Sequence, residues 1–182
     1  KFSVKKVLFN VGGLLIGAVE TTSHTVCNVV GELLGKPDAL SAAQAIARDG
    51  APQAFDGVAF EALRFRPAFP YFFRTCHRAT ELGGGTPFAT MVSPGTNVLA
   101  VTHSAMFDPA SFSAPDTFDP ERSQGDNFTL GFGIHECLGR AVAKPMLSEI
   151  ARQVVRLPGL RPAGPVVIGN GVPESMPVAW NA

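Results

Sequence analysis

The chain has 182 residues, enough for one domain with a real core, and no net charge. With no block of like charge, it is not built for nucleic acid or an anionic membrane surface as its main partner. Its three cysteines, Cys27, Cys76 and Cys137, are too few and odd in number for a disulfide framework, so a reducing, cytoplasmic setting is expected. Hydrophobic residues make up 46% of the chain but charged residues only 16%, where soluble domains usually carry about 25%. Part of the surface is therefore expected to be covered by protein outside this chain. The opening KFSVKK lacks the cleavage-type segment of a signal peptide, and the absence of an initiator Met is expected of a piece of something longer.

Val4 to Leu34 reads as one long helix, closed by Gly35 and Pro37. At ~1.5 Å per residue it is roughly 45 Å long. Glu20 and His24 near its middle, and the shortness of the uncharged stretch Val7 to Val19, exclude a membrane span and predict a buried central helix. Asp38 to Arg48 is a short helix with Asp38 as its expected N-cap. Asp56 to Phe65 is another, stopped by Pro67. Short strands follow around Tyr71 to His77, Phe88 to Val92 and Thr96 to Thr102, punctuated by Gly and Pro. Asp108 to Ser123, rich in Pro, Asp and Phe, has no period and reads as ordered loop. Leu138 to Leu157 returns to helical spacing, with Pro145 expected to kink it. Gly159 to Trp180 reads as turns and short strands. The fold class is mainly α with small β-sheets.

The stretch FTLGFGIHECLGRA, Phe128 to Ala141, carries the chemistry. Gly131, Gly133 and Gly139 surround Cys137, and a helix follows. A helix start offers unpaired N–H groups and partial positive charge, which favour a thiolate. Three uses of such a sulfur compete. A catalytic thiol needs a base, for which His135 is available. A zinc site needs four ligands, and His135 with Cys137 supplies two. A haem iron bound by one thiolate needs a single cysteine, a close-packed loop and a large apolar pocket. The third use fits best.

GFGIHECLG, Gly131 to Gly139, resembles the haem-binding loop of the cytochrome P-450 family. The resemblance implies the C-terminal portion of that fold, with residues 1–182 as a single incomplete domain. It implies haem b (iron protoporphyrin IX) with Cys137 as the metal ligand. His135 would touch a haem propionate, and Gly131, Gly133 and Gly139 would allow close approach. Leu130 stands where the family usually has Phe. FEALRFRP, Phe60 to Pro67, places Glu61 and Arg64 three apart on one helix face. Taken alone this is a surface salt bridge worth at most about 1 kcal/mol. Beside the cysteine loop it resembles the family's Glu-x-x-Arg motif. Its third partner would be Arg122 in FDPERS, and all three would be structural, pinning the irregular segment beneath the cysteine loop.

GAVETTS, Gly17 to Ser23, resembles the acid–alcohol pair of the family's distal helix. It casts Glu20 and Thr21 as catalytic proton carriers and Ala18 as the small residue facing the haem. The bland alternative is that Thr21 bonds back to its own helix carbonyl. Arg74 in YFFRTC falls near a family arginine that pairs with a propionate, or is a solvated strand arginine. Phe69, Tyr71 and Phe72 are candidate pocket walls. Arg140 and Lys144 either form a docking face for an acidic electron donor or simply face solvent.

The resemblance implies a haem-thiolate monooxygenase that activates O₂ and oxygenates an apolar small molecule. Expected partners are that substrate, a ferredoxin or flavoprotein reductase, and a missing N-terminal half or second chain. Two alternatives stay open: a peroxide-dependent or hydroperoxide-rearranging haem-thiolate enzyme, and a truncated, non-catalytic module completed by another chain.

Overall fold

The computed structural model describes residues 2–125, 127–169 and 172–181. Its longest element is helix α1, Val4–Leu34, whose N-cap Ser3 accepts a hydrogen bond from the Lys6 N–H. The predicted stop holds, with the Gly35 N–H on the Gly31 carbonyl. Lys36, preceding a proline, is forced out of helical geometry, and Pro37 starts α2, Pro37–Asp49. Asp38 is therefore not the cap. It lies in the first turn of α2, where its charge meets the positive end of the helix instead. Helix α3, Phe55–Phe65, and α5, Arg140–Val155, complete the helical layer, with α4 a single turn, Thr102–Ala105. Helix α5 runs on through Pro145.

The core sits where α1, α2, α3 and α5 meet. Val29, Val30 and Leu33 of α1 form a stripe at helical spacing against Val58, Ala59, Ala62 and Leu63 of α3. Ala43 and Ala47 of α2 and Ala151 and Val155 of α5 close the cluster. Each large apolar side chain buried this way contributes about 1.5–3 kcal/mol. Arg152 of α5 donates to the Ala47 carbonyl (2.9 Å) and grips Glu149 through both carboxylate oxygens. Hydrogen bonds from Arg152 and then Gln153 lower the Glu149 carboxyl to about 2.

Four two-stranded antiparallel sheets are present among the described residues. Strands β1, Phe72–Thr75, and β4, Asn97–Ala100, pair with Arg74 opposite Val98. Strands β2, Thr80–Leu82, and β3, Thr90–Val92, form a hairpin; β3 falls in the predicted strand Phe88 to Val92, whereas period-two patterning over three residues did not reveal β2. Strand β5, Arg161–Pro162, pairs with β8, Val178–Ala179, and β6, Val167–Gly169, pairs with β7, Val172–Ser175. The segment from Asp108 to Ser123 is loop, as its composition predicts.

The expectation of a buried central helix holds for only one end of α1. Thr25, Asn28, Val29, Val30 and Leu33 are buried, whereas Phe9 (72% exposed), Leu15 (61%) and Ile16 (74%) are not. The helix is longer than the three helices it packs against, so its N-terminal part projects beyond the core. No helix among the described residues is long and apolar enough to cross a membrane.

Gly57 sets the distance between α3 and the irregular segment. A Cβ there would fall on the Pro120 carbonyl oxygen, a backbone atom that has no rotamer to yield. Alanine's helix propensity would gain about 1 kcal/mol, but forcing the two backbones apart costs about 1–3 kcal/mol. Gly57→Ala is therefore expected to lower the urea midpoint of unfolding. A raised midpoint would show that the segment yields freely.

Candidate functional site

Glu61 and Arg64 of α3 hold the segment that leads into the cysteine loop. Both side chains are completely buried, which overturns the reading of the pair as a surface salt bridge. Arg64 Nε and Nη2 clasp the two Glu61 oxygens at 2.9 Å each. The remaining donors reach backbone carbonyls, Nη1 to Met106 (2.9 Å) at the end of α4 and Nη2 to Pro115 (2.6 Å) in the irregular segment. The rings of Phe107 and Phe112 lie 4.6 and 5.6 Å from the guanidinium carbon. Arg122 Nε also donates to Glu61 (3.1 Å), and its terminal nitrogens reach the Ser113, Ala114 and Thr117 carbonyls. The Asp119 N–H completes the Glu61 shell at 3.0 Å. One carboxylate thus answers two guanidinium groups, and they in turn hold a loop that makes no ladder of its own.

The cysteine loop is built from two tight turns, Phe128–Leu130 and Gly133–His135. Its ends are joined by the Cys137 N–H on the Leu130 carbonyl at 2.7 Å. Gly131 makes this closure possible. Its φ of +77° with ψ of −173° belongs to a region that side chains do not tolerate, and a Cβ there would stand 2.5 Å from the His135 carbonyl oxygen. Gly131→Ala is expected to cost the loop about 1–3 kcal/mol, read as faster hydrogen exchange at the Cys137 amide. Unchanged exchange would mean that the loop can close by another route. The following helix starts later than the sequence spacing predicts. Gly139 takes the cap position, and the Cys137 carbonyl accepts from the Arg140 N–H at 3.0 Å.

Cys137 is exposed and lines a cavity of about 530 Å³. Helix α1 contributes Gly13, Gly17, Ala18 and Thr21 to its wall, the loop contributes Leu130 and Gly139, and α5 contributes Val142, Ala143 and Met146. A Cβ on Gly13 or Gly17 would meet nothing within 4 Å, so α1 leaves open space at these two positions, while Leu14, Ala18 and Thr21 line the same wall with side chains. Among the predicted aromatic walls, Phe69 lines the cavity, and Tyr71 and Phe72 do not. Of the other cysteines, Cys27 is half-buried in α1, where burial raises its thiol pKa, and Cys76 donates to the Arg78 carbonyl.

The structure brings Ala18, Thr21, Gly139 and Cys137 together around one space. Thr21 is half-buried, and its hydroxyl bonds back to the Gly17 carbonyl in an unbroken helix. Glu20 lies on the exposed side of α1 and outside the cavity wall. His135 is exposed on its loop, and Arg74 is exposed on β1 with Nη1 on the Phe73 carbonyl. Arg140 pairs with Glu136 at 2.8 Å and Lys144 with Asp56 at 3.9 Å, so each cation already faces an acid. Among the described residues, no group of three or more His, Cys, Asp or Glu side chains is placed to hold a metal ion by itself.

Sequence reasoning missed Gln124 and Asn127. Asn127 caps the turn Phe128–Leu130 by accepting from the Thr129 N–H, and it also donates to the Phe60 carbonyl of α3. An Asn directly before an aromatic turn is a readable cap signal. Its reach to α3 is not readable, because Phe60 is distant in sequence.

Comparison with known proteins decides the family. The family profile described as Cytochrome P450 matches residues 55–157, the span from α3 through α5. The steroid C26-monooxygenase of Mycobacterium tuberculosis strain H37Rv is 34% identical over 176 residues, 92% of this chain. The chain belongs to the cytochrome P450 family. Another P450 relative, the nocardicin C N-oxygenase of Nocardia uniformis, is 32% identical over 92% of the chain. The solved structure of cytochrome P450 CREJ superposes with a TM-score of 0.81 at 29% identity, covering all of this chain. The architecture is accordingly the α+β portion of the P450 fold that the cysteine loop implied. The chain spans less than half of each of these P450 proteins: 42% of both named relatives and 45% of the CREJ chain.

Proposed function

We propose that residues 1–182 form one unit of a haem-thiolate monooxygenase, with haem b held between α1 and the cysteine loop and Cys137 as the iron ligand. One observation carries the reading: Cys137 and the small residues Gly13, Gly17 and Ala18 of α1 border the same cavity. The donor chemistry fits the group. A single soft sulfur, mostly apolar walls and small residues on the facing helix suit a flat, apolar macrocycle better than a compact zinc site. Family membership supports it as well.

When bound, the haem supplies binding and cleavage of O₂, fed by electrons from a ferredoxin or flavoprotein reductase. The chain's own side chains would do the rest. Cys137 would donate electron density through its sulfur. Gly131, Gly133 and Gly139 would let the loop lie close, and Ala18 would keep α1 close on the other side. His135 and Arg74 would offer N–H donors to the propionates. Thr21 has committed its hydroxyl proton to Gly17, which leaves its oxygen free to accept from a water at the cavity wall. Glu20, exposed beside it, would exchange protons with solvent. The substrate would be an apolar small molecule, matching the apolar walls.

The test is a hemin titration followed by reduction under CO. A saturable Soret change, with the main band far to the red of a histidine-ligated iron, is the expected result. No saturable change, together with tight binding to a second protein, would favour the non-catalytic module. The Thr21–Gly17 bond gives the peroxide-dependent alternative its one specific support, since the hydroxyl proton is already committed within its own helix. Product formed from peroxide, but never from O₂ with a reductase, would favour that alternative.

A further inference from the structure

We propose that Gln124 and Asn127 are positioning residues for the Cys137 sulfur, through a side-chain amide bridge that locks the cysteine loop to α3 and to Arg122. The bonds form a closed circuit. Asn127 Nδ2 donates to the Phe60 carbonyl (3.1 Å) and to Gln124 Oε1 (2.9 Å). Gln124 Nε2 donates to the Arg122 carbonyl (3.0 Å), and Arg122 Nε donates to Glu61 (3.1 Å). Glu61 is the neighbour of Phe60 on α3, so the circuit returns to its starting helix. On the other side, Asn127 Oδ1 accepts from the Thr129 N–H (2.9 Å). Thr129 belongs to the turn Phe128–Leu130, and the Leu130 carbonyl receives the Cys137 N–H.

Each end of the bridge is therefore anchored differently. One end is fixed to the fully buried Glu61–Arg64 pair, and the other is one turn and one backbone bond from the sulfur. Only a carboxamide serves here. Asn127 must accept once and donate twice, which neither Asp nor Ser can do from this position. Gln124 must accept from Asn127 and donate to Arg122 at once, and its amide does both. Both residues are half-buried, so water competes weakly for these bonds. The spectroscopic part of the inference rests on the reading of Cys137 as iron ligand, and the geometric part does not.

Asn127→Ser keeps an acceptor for the Thr129 N–H but loses the reach to α3 and to Gln124. In the haem-free chain, the Cys137 amide is expected to exchange about tenfold faster than in the parent, while the Leu63 amide of α3 is unchanged. In the hemin-loaded, reduced and CO-bound chain, part of the thiolate band is expected to move to shorter wavelength. Gln124→Ala, which removes no contact to α3, is expected to act in the same direction and serves if Asn127→Ser does not fold. Parent-like exchange at Cys137, or equal acceleration at Leu63, would overturn the inference, since the first denies positioning and the second reports only global loosening. If the parent shows no thiolate band but the local exchange effect appears, the monooxygenase reading fails and the positioning role stands.

Discussion

Arg64→Ala is expected to remove about 3–5 kcal/mol of stability, the usual result of breaking a buried ion pair from one side. A domain of this kind holds only about 5–15 kcal/mol in total, so the variant is expected to be largely unfolded at modest urea. Three losses coincide. The Glu61 carboxylate loses both bidentate bonds and keeps only Arg122 and the Asp119 N–H. The Met106 and Pro115 carbonyls lose their donor. The aromatic faces of Phe107 and Phe112 lose the cation between them. Arg64→Lys keeps the charge but cannot span both oxygens and two carbonyls, so it should also fall well below the parent. Equilibrium urea unfolding of parent and variants measures this. A loss near 1 kcal/mol, the value of an exposed pair, would show that the cluster is hydrated in solution. Glu61→Leu with Arg64→Met should be less damaging than either single change, because no charge is left buried alone. It should still trail the parent, since the irregular segment would keep its unmatched carbonyls.

Cys137→Ser is expected to abolish the red-shifted CO band completely, while Cys27→Ser and Cys76→Ser leave it in place. The three thiols differ in position rather than in chemistry. Cys137 alone borders the cavity; Cys27 is packed into α1, and Cys76 is engaged with the Arg78 carbonyl. A serine oxygen is a poor replacement for a soft sulfur at iron. The variant should fold like the parent, because the exposed thiol takes no part in the core and the closing bond of the loop is made by backbone atoms. Spectra and urea midpoints recorded side by side separate ligation from folding. Survival of the band in Cys137→Ser, or its loss in Cys76→Ser, would refute the assignment of the ligand.

Much of this protein was legible in contiguous residues. The apolar run of α1 and its Gly35–Pro37 stop predicted its limits, Val4 and Leu34, because helix signals act over a few residues. The glycine spacing around Cys137 named the family for the same reason: a tight loop needs glycine at fixed offsets, whatever surrounds it. Burial was not legible. Taken alone, Glu61 and Arg64 looked like a surface pair; the family resemblance supplied Arg122 as their partner, but nothing near them in sequence reveals that the Met106 and Pro115 carbonyls also close over them. Asp38 looked like a cap because Pro37 could either end one helix or begin the next.

Local chemistry in the sequence thus determined the long helices, the cysteine loop and the family, since turns, helix stops and glycine conformations depend on near neighbours. Only the tertiary structure decided which charges are buried, that α1 leaves its first half uncovered, and that Thr21 and Cys137 share a cavity. Those outcomes depend on contacts between segments far apart along the chain, and no local pattern encodes where such segments meet.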